Sequence, residues 1–246
     1  MGFIAVIPAR FGSTRLPGKP LLDIAGQPMI QHVYARAQSS RADRVFVATD
    51  DQRIEDVVRG FGGECLMTAS DHPTGTDRLA EVADVLGLAA NVIIVNVQGD
   101  EPLLPASAIH QVAEMLIAHP EASIATLCEP IQDASDIDDP NQVKVVKSRS
   151  GRALYFSRAR IPGYPTSAIG AHYRHVGLYA YRAGFLRDFR TWEPTSLERF
   201  ERLEQLRALE HDCLIQVDVA WESIPPGVDT EQDLVSIRRH LENPSA

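Results

Sequence analysis

Apolar runs that alternate with helical stripes constrain this chain more than any other feature. Phe3–Ala9, Arg44–Thr49 (RVFVAT), Val92–Gln98 (VIIVNVQ) and Ser123–Leu127 read as strands, with a shorter one near Glu64–Thr68. Between them, Pro28 opens a helix whose apolar positions Ile30, Val33, Tyr34 and Ala37 fall on one stripe. Asp50 and Asp51 are N-cap candidates for a helix over Ile54, Val57 and Val58. Thr74–Leu86 and Pro105–Ala118 carry two more helical patterns. Strands that do not alternate with polar residues are buried on both faces, and helices between them act as crossovers. The expectation is an α/β fold, a mostly parallel central sheet flanked by helices. The chain has no G-x-G-x-x-G, which argues against a dinucleotide-binding enzyme on that scaffold.

The second half changes character. Val143–Lys147, Ala153–Ser157 and Tyr173–Tyr181 are strand-like with little helix between them, and Gly151 sits at a turn. This predicts a small antiparallel sub-sheet within about residues 140–185. A helical pattern over Leu197–Leu209, a strand at Ile215–Trp221 and a final helix follow. Thr230 and Asp233 form a capping-box pair for that last helix, which buries Leu234, Ile237 and Leu241. With no linker, repeat or low-complexity tract, residues 1–246 read as a single domain.

Of the 246 residues, 44% are hydrophobic, enough for a sizeable core. The net charge of −9 disfavours nonspecific binding to nucleic acid or anionic membranes. Cys65, Cys128 and Cys213 are far apart and show no zinc spacing, so each reads as a small core hydrophobe in a reducing compartment. The N-terminus has no signal-peptide pattern, and no apolar run approaches the roughly 20 residues of a membrane span. The expected location is cytosolic.

Against that acidic background, Ile7–Leu21 (IPARFGSTRLPGKPL) places Arg10, Arg15 and Lys19 among Gly12, Ser13, Thr14 and Gly18, directly after the first strand. Glycines let backbone N–H groups approach an anion, and the cations balance its charge. The segment is not a Walker A loop: five residues separate Gly12 from Gly18, and Pro20 follows Lys19 where a hydroxyl would be needed. A polyphosphate site commonly recruits magnesium, which takes carboxylate oxygens. Asp100 follows the VIIVNVQ strand in GDEP, at the sheet edge where α/β folds bind ligands, or it is simply a turn residue. Asp229, in GVDT, either faces the same edge or supports the last helix N-terminus.

Taken together these segments resemble the 3-deoxy-D-manno-octulosonate (KDO) cytidylyltransferase family, over nearly the whole chain. The loop motif R-x-x-S-x-R-L-P-G-K marks the wider group of sugar-activating nucleotidyltransferases. HPTGTDRLAEV (residues 72–82), VNVQGDEP (95–102), NQVKVV (141–146), ALYFSRA (153–159), RHVGLYAYR (174–182), LEQLR (203–207) and GVDT (227–230) also carry the resemblance, and QGDEP, FSRA, RHVG, LEQLR and GVDT together point to the KDO enzymes. The resemblance implies a Rossmann-like nucleotide-diphospho-sugar transferase fold. It also implies the reaction of CTP with KDO to give CMP-KDO and pyrophosphate, for lipopolysaccharide biosynthesis. It assigns Arg10, Ser13, Arg15, Lys19, Thr76 and Arg78 to CTP, with Lys19, Asp100 and Asp229 catalytic. Asp100 and Asp229 would hold Mg2+. Gln98, Arg158, His175, Tyr179, Glu204 and Gln205 would bind KDO, with Arg158 pairing the sugar carboxylate. A homodimer with the antiparallel sub-sheet at its interface is also implied. The chain departs from the family in a shorter connection at Ile161–Tyr173. Activation of another acid sugar, such as the 8-amino analogue of KDO or a sialic acid, is the nearest alternative. A catalytically silent nucleotide-binding module is the other, distinguished by the absence of pyrophosphate release.

Overall fold

The structure, a computed structural model, describes residues 2–12, 16–163 and 172–242. In chain order the elements are β1 (Phe3–Ala9), a 3-10 turn (Lys19–Leu21), β2 (Asp23–Ile24), β3 (Gln27–Pro28), α1 (Met29–Gln38), β4 (Arg44–Thr49), α2 (Gln52–Gly60), β5 (Glu64–Met67), α3 (Gly75–Val85), β6 (Ile93–Asn96) and α4 (Ala106–Ala118). There follow β7 (Ile124–Pro130), a second 3-10 turn (Ala134–Ile137), β8 (Lys144–Lys147), β9 (Ala153–Ser157), β10 (Tyr173–Arg182), α5 (Ala183–Phe189), α6 (Ser196–Glu201), α7 (Gln205–Glu210), β11 (Ile215–Val219) and α8 (Glu231–Glu242).

Among the described residues, nine strands form one sheet with the spine β11-β7-β10-β6-β1-β4-β5, and β2 and β3 form a separate two-stranded ribbon. β1 pairs in parallel with β4 and β6, β4 with β5, and β7 with β11. β10 runs antiparallel between β6 and β7. The expected antiparallel excursion is therefore only partly separate. The β8–β9 hairpin leaves the spine, but β10 is an integral strand of the main sheet. Its own sequence, YRHVGLYAYR, alternates less regularly because a register shift interrupts it between Val176 and Tyr179.

Each sheet face is covered. One core packs α1, α2 and α4 on Phe3, Ala5, Ile7, Val45, Val47, Ile93, Val95 and Val97; the other packs α3, α5 and α7 on Val6, Ala48, Ile94, Ile124, Tyr181, Ile215 and Val217. The parity of these positions is the two-residue period of a strand buried on both sides. A third cluster joins Leu16 near the N-terminal loop to Val228, Leu234 and Ile237, so α8 is pinned to that loop. Cys65 and Cys128 are buried free thiols, pushed up to about 11 and about 12 by burial. Among the described residues no helix is long and apolar enough to cross a membrane.

Local signals account for most helix ends. Asp51 caps α2 by accepting from the Arg53 backbone N–H, Thr74 and Asp77 form a capping box on α3, and Thr230 with Asp233 does the same for α8. The stretch Leu197–Leu209 departs from expectation. It is two helices, because Arg202 adopts a left-handed conformation (φ 54°) that ends α6 and turns the chain into α7.

α3 carries the wall of the candidate site, and Leu79, with 0% of its surface exposed, anchors it to the sheet. Leu79→Ala should cost about 2–5 kcal/mol of stability in urea denaturation, the range for a fully buried leucine truncated in a packed core. A loss under about 1 kcal/mol would show that α3 is held by something else.

Candidate active site

The carboxyl end of β1, the turn after β6 and the segment that leads from β5 into α3 converge on one cavity of about 480 Å³. Pro8, Ala9, Arg10 and Gly12 line it from β1 and the following loop; Lys19 and Pro20 come from the 3-10 turn. His72, Pro73, Thr74, Gly75 and Arg78 form the wall at the start of α3, and Gln98, Gly99, Asp100 and Asp229 the floor. Gly18 enters the 3-10 turn at φ 67° and donates its N–H to Phe11 O at 3.1 Å, which sets Lys19 at the cavity mouth. Gly99 is required by close approach: a Cβ there would lie 3.0 Å from Pro8 O.

Lys19 is the centre of charge. Its Nζ donates to Asp100 Oδ2 at 2.8 Å and to Asp229 Oδ1 at 3.1 Å, and its side chain is only 13% exposed. Burial opposes the ammonium, but hydrogen bonds and charge from Asp100 and Asp229 outweigh it and hold Lys19 above the ordinary lysine value. Asp100 and Asp229, far apart in sequence, thus meet on one cation. The Asp100 turn is also tied to the 227–229 segment, since Val228 N–H donates to Asp100 O at 2.8 Å. Two carboxylates converging from separate segments are an oxygen donor set that suits magnesium, completed by phosphate and water oxygens. Among the described residues no cluster of three or more His, Cys, Asp or Glu forms a self-sufficient metal site.

Arg78 is nearly buried and serves the frame of the cavity. Its guanidinium donates to Asp50 Oδ2 at 2.9 Å and to Thr68, so it ties together the ends of β4 and β5. His72 pairs with Glu81, which also accepts the Ala69 N–H, and this fixes the loop before α3. Ser13 and Arg15 lie outside the described residues.

Beyond the first turn of α3 lies a second, smaller cavity of about 100 Å³, lined by Thr76, Ile124, Tyr179, Tyr181, Phe185, Phe189, Glu204 and Gln205. Gly75 faces the first cavity and Thr76 the second, so one helical turn walls both. Thr76, expected with the nucleotide, instead donates its hydroxyl to Glu204 Oε2 at 2.9 Å, because its position on α3 faces α7. Glu204 Oε1 and Gln205 Nε2 are buried without a hydrogen-bond partner. Burial raises the Glu204 carboxyl, with the Thr76 hydrogen bond opposing. Burial likewise raises the Tyr179 phenol well above its ordinary value.

The structure does not bring two of the expected sugar residues to either cavity wall. Arg158 donates Nε to Glu201 O at 2.9 Å, Nη1 to Pro140 O at 3.0 Å and Nη2 to Arg202 O at 3.4 Å. Its guanidinium therefore clamps the α6–α7 turn, just before Glu204, rather than offering itself to a carboxylate. Its carbonyl accepts from Lys144 Nζ, a fully buried ammonium, at 2.7 Å. His175 packs edge-on to Phe156 and beside Tyr179, with its Nε2 3.0 Å from Thr126 Oγ1. The Thr126 hydroxyl is within bonding distance of Val176 O and Leu178 O, and its single proton goes to one of these carbonyls. It must then accept from His175 Nε2–H, which fixes the tautomer. Burial and the neighbouring Arg174 charge lower His175 to about 3, so the ring is neutral at pH 7. Sequence reasoning assigned no role to His72 and Asn96. His72 opens the HPTGTDRLAEV segment; Asn96 reads as one more residue of a buried strand.

The chain can now be set beside known proteins. The family model for cytidylyltransferases matches residues 4–217. A 3-deoxy-manno-octulosonate cytidylyltransferase of Hahella chejuensis is 58% identical over 96% of both chains, and one of Pseudomonas fluorescens is 57% identical over 98% of both. The solved structure of a CMP:2-keto-3-deoxy-manno-octonic acid synthetase complexed with CTP superposes with a TM-score of 0.91 at 44% identity, covering 99% of this chain and 100% of that one. A 4-diphosphocytidyl-2C-methyl-D-erythritol synthase, 15% identical with a TM-score of 0.66 over 98% of both chains, shares the fold.

Glu101, next to Asp100, supplies a pH test of the site. Burial, followed by the Asp100 charge, raises its carboxyl to about 8 against the opposing charge of Arg174, and its Oε2 has no hydrogen-bond partner. A carboxyl whose folded value lies above its unfolded one favours folding below the unfolded value, and that contribution is lost as pH rises through about 8. Glu101→Gln should therefore match the wild type near pH 4.5 and be more stable at pH 8.5, by up to about 1.4 kcal/mol per pH unit crossed. Denaturation in chelator at the two pH values measures this. A pH-independent difference between the proteins would show that Glu101 is not strained by its ionisation.

Proposed function

The chain belongs to the cytidylyltransferase family, and from that premise we propose that it transfers the cytidylyl group of CTP to KDO, giving CMP-KDO and pyrophosphate for lipopolysaccharide synthesis. The observation that carries the reading is the convergence of Lys19, Asp100 and Asp229 at the mouth of the larger cavity, beside a second cavity with unpartnered polar atoms. The name and bound nucleotide of the CTP-complexed relative support placing CTP in the larger cavity. Lys19 and Arg10 face the triphosphate there, and Gly12 and Gly99 allow close approach of backbone to phosphate. The sugar spans from Gln98 and Asp100 toward Tyr179, Glu204 and Gln205, whose unpartnered atoms suit a polyhydroxylated acid.

The reaction needs no covalent enzyme intermediate. The C2 hydroxyl oxygen of KDO forms a bond to the α-phosphorus as the bond to the β-phosphate oxygen breaks in line. Lys19 offsets the charge that accumulates on the phosphates, and the two cavities hold donor and acceptor in an orientation that lowers the entropic barrier. Asp100 and Asp229 are the residues that would hold Mg2+. Bound there, the ion supplies Lewis-acid stabilisation of the α-phosphate and lowers the pKa of the attacking hydroxyl. Arg158 acts on this scheme from a distance, by holding the turn that carries Glu204.

A cytosolic homodimer completes the reading. The support is physical: β9 pairs only with β8 among the named strands, and Leu154 on it is 61% exposed while Phe200 on α6 is 87% exposed. A second copy covering that edge would bury both.

Pyrophosphate release from CTP, with KDO and its 8-amino analogue as separate acceptors, tests the activity. Release with KDO, faster than with the analogue, is the expected outcome; release with neither, while CTP still raises the melting temperature, would leave a nucleotide-binding module. Asp100→Asn should lower kcat on the order of 100-fold or more with an unchanged circular dichroism spectrum. Near-normal turnover would remove Asp100 from the chemistry. Chelation of divalent cations should abolish turnover and Mg2+ should restore it, whereas activity persisting in excess chelator would contradict the metal role.

A further inference from the structure

We propose that Asn96 reads a hydroxyl group of the acid sugar and so helps to set which sugar the enzyme accepts. The inference rests on the placement of the sugar given above. Asn96 ends β6, is 4% exposed, and its Oδ1 is buried without a hydrogen-bond partner. Two residues earlier on the same face stands Ile94, fully buried and apolar. An apolar residue at 96 would avoid the cost of desolvating a carboxamide, so the orphaned acceptor needs an explanation.

Its position supplies one. Asn96 is in register with Val6 on one side and with Tyr179 on the other, and residues directly opposite each other across a sheet share a face. Tyr179 lines the smaller cavity, and Gln98, two residues past the end of β6, lines the larger one. Asn96 therefore stands between a lining residue of each cavity, beside Tyr179 across the sheet and two residues before Gln98. The smaller cavity that Tyr179 lines also holds, at the start of α7, the other two orphans, Glu204 Oε1 and Gln205 Nε2. Two acceptors and one donor, all buried and unpartnered, are matched by hydroxyl groups, each of which donates once and accepts twice. Gln98 and Asp100 follow Asn96 beyond the end of β6, so of the three Asn96 stands furthest along the chain from Asp100. The hydroxyl it meets is therefore one remote from C2, away from the nucleotide at Lys19 and Asp100.

The test is steady-state kinetics of Asn96→Leu, which keeps the volume and removes the polar group, with CTP and KDO varied separately. The expected result is a rise of about 10- to 100-fold in the KM for KDO with less than a twofold change in the KM for CTP. Thermal stability should hold or rise, because an orphaned polar group has gone. Asn96→Thr, which suits a strand, carries the same expectation should the leucine variant fail to fold. Unchanged KM for both substrates, or equal shifts in both, would overturn the role of Asn96 while leaving the proposed activity intact. No turnover by the wild type with KDO would overturn both.

Discussion

Lys19 bridging Asp100 and Asp229 is the contact on which the architecture of the site depends. The three residues come from the N-terminal loop, the end of β6 and the approach to α8, separated by 81 and 210 positions from Lys19. Two carboxylates at this spacing repel each other unless a cation lies between them. Lys19 supplies that charge in the protein itself, and its burial at 13% side-chain exposure keeps the pair from being screened away. The same three segments are joined by apolar packing underneath, where Leu16, Val228, Leu234 and Ile237 meet with Leu103 packed against them. The charge cluster is thus fixed from below by packing and open above to the cavity. On the proposed reading, a triphosphate or a divalent ion entering there would compete for the same partners that Lys19, Asp100 and Asp229 already hold in place.

Much of this was legible in the sequence, for identifiable reasons. The parallel core was readable because β1, β4 and β6 are short uninterrupted apolar runs, and only a strand buried on both faces looks like that. Asp51 and Thr230 announced their helices because capping is a local interaction written in adjacent residues. The assembly of Lys19, Asp100 and Asp229 was readable only in part: strand ends on a parallel sheet face one edge, but nothing local brings residue 229 to residue 19. The break at Arg202 was hidden, since an arginine in a left-handed conformation carries no turn signature and the apolar spacing on either side imitates one helix. The guanidinium of Arg158 was hidden for a different reason. Its direction is set by carbonyls of Pro140, Glu201 and Arg202, which come from a distant fold neighbourhood rather than from its own strand.

The departure of β10 from the parallel pattern is what gives the fold its second cavity. In a purely parallel sheet every strand sends its carboxyl end to one edge, and ligands bind in the crevice there. That arrangement accommodates one nucleotide. Inserting β10 antiparallel between β6 and β7 keeps the sheet continuous while it reverses which end of the strand meets that edge. The register shift between Val176 and Tyr179 then resets the alternation of the strand, so that Tyr179 and Tyr181 follow Asn96 and Ile94 onto the α3 face. Thr126 secures the irregularity by donating its hydroxyl to one of the freed carbonyls, Val176 O or Leu178 O. The aromatic wall raised there extends the crevice sideways beneath α3, where α7 closes it with Glu204 and Gln205. On the proposed reading, one face of one sheet would serve both substrates, the nucleotide at its parallel edge and the sugar over its antiparallel strand. The acceptor oxygen and the α-phosphate would then meet at the seam between them, beside Asp100.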